Sequence, residues 1–198
     1  MFDPTNLGLF ITACMVLNIT PGADMMYVIA SGLRSGPRAG FAAMLGVSTG
    51  LSLHVLAAAI GVAALMKANP FALEIMRWAG VFWLLWLAYQ SFRAAGPQVV
   101  KAPLGVAQSF RGGFFVNILN PKTIIFILAF LPQFAPSGKL VELLALGAIL
   151  ICTSSITNGT IGIFAGKLAP RLAHAGFLNR LSGIVMLGLA ARLAFQRS

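Results

Sequence analysis

Between Ala39 and Met66 the chain carries no Asp, Glu, Lys or Arg. A helix that crosses a bilayer needs ~20 predominantly apolar residues in a row, and this run supplies them. The rest of the chain has the same character. Of its 198 residues 59% are hydrophobic and 9% charged, with a mean hydropathy of +0.90; a soluble domain carries about 25% charged residues. Composition therefore assigns an integral membrane protein.

Six candidate spans follow, at about 6–33, 40–66, 71–93, 112–134, 140–166 and 178–196. Turn signals separate them: Ser35-Gly36-Pro37, Asn69-Pro70, Ala95-Gly96-Pro97 with Pro103, Pro136-Ser137-Gly138, and Pro170 through Gly176. Residues 7–17 look like the apolar core of a secretory signal, but no Lys or Arg precedes them and apolar character resumes beyond Gly22. A signal peptide begins with a basic region and ends after its apolar one, so the segment reads as a retained span.

The net charge of +10 comes from fourteen Lys and Arg placed singly between apolar runs. Without a basic cluster or interleaved aromatics it does not describe a nucleic-acid surface. Cations at span ends suit anionic lipid headgroups and set orientation. Eight lie on the face that follows spans one, three and five and five on the other, which favours both termini outside. Cys14 and Cys152 fall in apolar runs with no CxxC and no Cys/His cluster, so neither a disulfide nor a metal site is expected. No Ser/His/Asp triad, phosphate loop or catalytic carboxylate pair can be assembled from four acids and two histidines. The sequence reads as no enzyme and needs no cofactor.

The longest connection, about 94–110, divides the spans into two sets of three. Within one transmembrane domain (1–198) this gives repeat one at about 1–95, a linker at about 96–110 and repeat two at about 111–198. Residues 61–80 and 162–183 match in the order Gly, Lys, Pro, Arg, Gly: Pro70 pairs with Pro170 and Arg77 with Arg180. A similar offset lays Thr20-Pro21 over Asn120-Pro121. Three spans is an odd number, so the second repeat enters from the opposite side. The expected fold is an all-α membrane protein of six transmembrane helices in two inverted three-helix repeats, with helices 1 and 4 broken at Pro21 and Pro121.

Those breaks hold the ionisable residues that lie mid-span, Asp24 and Lys122. A charge at the bilayer centre costs about 3 kcal/mol on insertion scales. Proline removes a backbone N–H and clashes with the preceding turn, and broken backbone at membrane depth survives only where protein or a watery cavity satisfies it. The N–H groups freed after Pro21-Gly22 and Asn120-Pro121 suit a carboxylate. Asp24 sits in a first turn where the helix dipole stabilises it; Lys122 sits where the dipole opposes it. Lys122 therefore needs a partner, with Asp24 or a substrate carboxylate the candidates, or it releases its proton readily and couples transport. A structural ion pair remains the alternative reading. In the fifth span Thr153, Thr157 and Thr160 recur at helical spacing beside Ser154 and Asn158, with a counterpart in Ser48, Ser52 and His54 of the second. Either they line a polar path or they bond helices together beside Gly46, Gly50, Gly162 and Gly166. His54 could shuttle protons or pack against a neighbour. Trp78 and Tyr89 read as interfacial anchors, Trp83 and Trp86 as packing.

The segments Thr20-Pro21-Gly22-Ala23-Asp24 and Asn117-Ile118-Leu119-Asn120-Pro121-Lys122 resemble the signatures of the lysine exporter/homoserine–threonine resistance (LysE/RhtB) family of bacterial amino-acid efflux proteins. Residues 111–134 and 76–93 are similar to its fourth and third spans. Ala23 departs from the family pattern, which has a second proline there. The resemblance implies proton-driven export of amino acids or related small metabolites from the bacterial cytoplasmic membrane. It makes Asp24 and Lys122 central, with Thr20, Pro21, Gly22, Asn117, Asn120 and Pro121 shaping the site. Few acids line the spans, so a neutral substrate of the threonine/homoserine kind fits better than lysine or arginine. Other classes are a membrane thiol–disulfide carrier, which needs its two cysteines within bonding distance, and a passive channel or structural protein. The glycine-rich faces would permit a homodimer.

Overall fold

A computed structural model describes residues 4–20, 22–68, 105–135 and 137–165, together with some helical residues between 75 and 89 and between 184 and 194. Pro21, most of the expected third and sixth spans, and the repeat markers Pro70, Arg77, Pro170 and Arg180 lie outside the described residues. Among the described residues there is no strand. The helices are α1 (Pro4–Ile19), α2 (Ala23–Ser35), α3 (Pro37–Ala68), α4 (Val106–Ile118), α5 (Pro121–Phe130) and α6 (Leu140–Ile163), with a 3₁₀ turn at Leu131–Phe134 after α5.

Segments of α3 (Pro37–Gly61) and α6 are each long and apolar enough to cross a membrane. The same holds for α1 with α2, which meet at a bend of 53°, and for α4 with α5 and its 3₁₀ turn, bent by 51°. That makes two spans, or four when each bent pair is one. The expected first, second, fourth and fifth spans are recognisable in these elements. α4 starts at Val106, inside the stretch expected to be linker. Residues 106–111 contain neither Gly nor Pro, so the helix runs back as far as Gly105.

Local chemistry sets the joints. Gly36 has φ +83 and its N–H bonds to Gly32 O at 3.0 Å; that backbone suits glycine, and it closes α2. Pro37 then opens α3, its missing N–H costing nothing in a first turn.

α3 packs along α4, α6 and α2. In lipid, apolar surface gains little by leaving the solvent, so helix association depends on close packing. A Cβ on Gly46 would press on the backbone of Phe110 and Phe114, and one on Gly113 on the backbone of Ala43. The small residues thus bring α3 and α4 into backbone contact. Gly50 abuts Asn117 and Gly162 abuts Gly40 in the same way. Three of the four glycines singled out from the sequence, Gly46, Gly50 and Gly162, are thereby in contact within one chain; Gly166 lies outside the described residues.

The larger core joins α1, α3, α5 and α6 through Phe10, Leu17, Leu51, Phe126, Leu131 and Leu146. Phe126, Phe130, Phe134 and Phe10 stack in series at centroid distances of 4.8, 4.9 and 5.3 Å. Leu45, Leu53, Leu56 and Ile60 of α3 are exposed, as side chains facing lipid are. Trp78 and Tyr89 are exposed too. Trp86, expected to pack inside, is 48% exposed and lies against Tyr89 at 5.8 Å between centroids. Trp83 lies outside the described residues.

Candidate functional site

All six helices contribute to one small polar cavity. Its walls include Asn18, Thr20 and Gly22 at the first break, Asp24 of α2, Asn117 of α4, and Lys122 of α5. Thr123, Ser154 and Asn158 complete its polar lining.

α1 ends at Ile19, where its last carbonyls have no helical partner. Thr20 Oγ1 donates to Val16 O at 2.6 Å. Gly22, extended at φ -150, leads into α2. At the second break α4 ends at Ile118 and Leu119 turns. Asn120 is the N-cap of α5, its Oδ1 accepting from Lys122 N at 3.0 Å. Pro121 occupies the first position of α5. The proline therefore does not kink a continuous helix; it starts a new one, for which its fixed φ is suited.

Lys122 finds its partners across the gap. Nζ donates to Leu17 O and Thr20 O, both at 2.7 Å. The start of α5 repels a cation, but the end of α1 carries the opposite partial charge, and two short charge-assisted bonds hold the ammonium there. Asp24 is held reciprocally: Oδ2 accepts from Asn117 Nδ2 at 3.1 Å and from Thr123 Oγ1 at 3.3 Å. Each break thus holds the charged side chain of the other. Within the protein the partners of Lys122 are these two backbone carbonyls.

Gly22 lies under the lysine stem: a Cβ there would sit 3.2 Å from Nζ and 3.3 Å from Cδ. His54 Nε2 lies 3.3 Å from Asn117 O, so the ring donates to a carbonyl behind the site and does not line the cavity. The hydroxyl stripes divide. Thr153, Thr157, Thr160, Thr49 and Ser52 bond to carbonyls of their own helices. Ser48 and Ser155 bond across α3 and α6 at 2.7 Å. Ser154 and Asn158 alone of the stripe reach the cavity. Asn18 and Thr123 were not singled out from the sequence. The signal was there: each is a polar residue beside a break in an otherwise apolar run.

Several polar atoms at the site are buried with no hydrogen-bond partner in the protein: Asp24 Oδ1, Asn117 Oδ1, Asn120 Nδ2 and Asn158 Oδ1. Leaving such a group unmet costs ~1–3 kcal/mol. The cavity measures about 30 Å³, against ~300–1,000 Å³ for ligand pockets. A larger ligand enters only if the helices around it part.

The sequence matches the LysE type translocator family over residues 15–197. The chain belongs to that family. Similar curated proteins include the homoserine/homoserine lactone efflux protein of Salmonella typhi, 30% identical over 95% of each chain. The leucine efflux protein of Salmonella choleraesuis is 28% identical over 98% of this chain and 96% of its own. An uncharacterized membrane protein of Vibrio cholerae is 26% identical over 93% and 94%. No solved structure gives a significant match. Family membership makes this chain a membrane translocator. Of the two cysteines, Cys14 is buried and Cys152 exposed.

Proposed function

We propose that this LysE type translocator is a secondary active exporter of amino acids, working across the cytoplasmic membrane of a bacterium. The observation that carries the reading is the reciprocal bracing of the two breaks. An acid and a base sit in one cavity, and each is held by the opposite bent helix pair. Such a site is bistable in principle, because parting the pairs releases both charges together. A zwitterionic substrate could replace the bonds each charge gives up. Relatives named for homoserine, homoserine lactone and leucine efflux support a neutral amino acid as cargo.

Two bent pairs of similar angle, each broken beside a charged residue, support the inverted-repeat architecture with six spans and alternating access around the cavity. Asp24 and Lys122 are the groups available for proton coupling. A carboxyl that takes up a proton loses its hold on Asn117 and Thr123 as an anion, which would loosen one brace.

The test is efflux from vesicles holding the purified protein and loaded with homoserine, threonine, leucine or lysine, with and without a pH gradient. Neutral amino acids should leave faster when the outside is acidic. Leakage indifferent to substrate and gradient, or unchanged efflux in an Asp24→Asn, Lys122→Met double variant, would overturn the coupled mechanism.

A further inference from the structure

We infer that Asp24 Oδ1 and Asn158 Oδ1 together form the seat for the α-ammonium group of the transported amino acid, leaving its carboxylate to Lys122. The inference rests on the amino-acid transport reading and assigns its chemistry to atoms.

Asn158 belongs to α6, a helix that neither break interrupts. Its side chain is 4% exposed. Nδ2 donates to Ser154 Oγ at 3.2 Å, while Oδ1 has no partner. Asp24 shows the same division: Oδ2 accepts two hydrogen bonds and Oδ1 none. Both residues line the cavity, and each keeps one buried side-chain oxygen, a carboxylate oxygen and an amide oxygen, without a hydrogen-bond partner in the protein. Asn117 Oδ1 plays no part in this, because it is pressed against α3, 2.9 Å from where a Cβ on Gly50 would lie.

Two unmet acceptors, one of them anionic, call for a cation with several N–H donors or for a bare cation. Lys122 discriminates between them. Its ammonium lines the same cavity and would repel a bare metal cation held by Asp24 and Asn158. A zwitterion brings its own anion. Its carboxylate can approach Nζ, whose third proton is free beyond the bonds to Leu17 O and Thr20 O, and the first N–H groups of α2.

The two poles are not equally demanding. The ammonium seat would be left with unmet buried acceptors by a ligand lacking N–H donors, and sites of that kind discriminate strongly. Lys122 already has two carbonyl partners, so a ligand lacking the carboxylate leaves it satisfied. Removing the substrate's ammonium should therefore cost far more than removing its carboxylate charge.

The experiment is calorimetric titration of the purified chain in detergent micelles with homoserine, threonine and leucine, each beside its amide and its N-acetyl derivative. The amide of any amino acid that binds should bind within about tenfold of it, and the N-acetyl compound at least about 100-fold more weakly. Asn158→Leu should weaken amino acid and amide alike by more than tenfold, while Asn158→Asp, which keeps an acceptor oxygen, retains binding. Equal binding of the N-acetyl compound, unchanged affinity in Asn158→Leu, or binding that needs sodium ions would overturn the ammonium seat and leave the transport reading standing. Failure of all three amino acids both to bind and to leave loaded vesicles would overturn both.

Discussion

At the scale of single residues, the pairing at Lys122 carries most of the consequences. Its ammonium closes two carbonyls at the end of α1 that no helical N–H can reach. Lys122→Met should therefore destabilise the fold as well as stop transport, by about 1–3 kcal/mol for carbonyls left buried without donors; thermal unfolding in micelles reads it. Gly22 matters because it leaves room for the stem above it. Gly22→Val would push its side chain into Lys122 Cδ and Nζ, 3.3 and 3.2 Å from the nearest possible Cβ. Efflux should fall more than tenfold in a protein that still unfolds cooperatively. An unchanged rate would show that the lysine need not lie over Gly22.

At the scale of elements, the two joints are built differently although their sequences look alike. α5 has a side-chain cap from Asn120 and a proline at its first position, whereas α2 starts from Gly22 without a side-chain cap. Asn120→Ala should cost about 1 kcal/mol, the usual loss for an N-cap, visible as a lowered unfolding midpoint with Lys122 less well placed. The α3–α4 contact is stricter. A side chain at Gly113 would meet the backbone of Ala43, and backbone in a packed helix cannot step aside. Gly113→Leu should cost at least ~1–3 kcal/mol by overpacking and yield protein that fails to elute as a single species on size exclusion. The serines and threonines of α3 and α6 mostly bond within their own helices, as mid-helix hydroxyls commonly do.

At the scale of the whole molecule, the braces join the two bent pairs around one small polar cavity. Transport requires that this space grow several-fold, by relative movement of the bent pairs. Ser154, 5% exposed at the cavity wall, reports such a movement. In a variant with Cys14 and Cys152 replaced by Ala, Ser154→Cys should react slowly with a charged thiol reagent, and several-fold differently once homoserine or leucine is added. Labelling that is fast and indifferent to both would show that no closed state is populated. The same cysteine-free background should keep its efflux, since neither thiol touches the cavity.

The membrane class, the apolar runs of α3 and α6, and the two breaks with Asp24 and Lys122 at their edges are legible along the chain, because apolar run length, Pro-Gly punctuation and isolated charges are local signals. Of the residues singled out, Thr20, Gly22, Asp24, Asn117, Lys122 and Asn158 do come together at one cavity. Asn120 caps a helix and His54 braces a carbonyl from behind. Who holds whom emerges in three dimensions. Lys122 binds the end of α1, Asp24 binds Asn117 and Thr123, and Asn158 keeps an oxygen free. Those pairings join residues about a hundred positions apart, and their choice depends on carbonyl directions and helix crossing, which no spacing along the chain encodes.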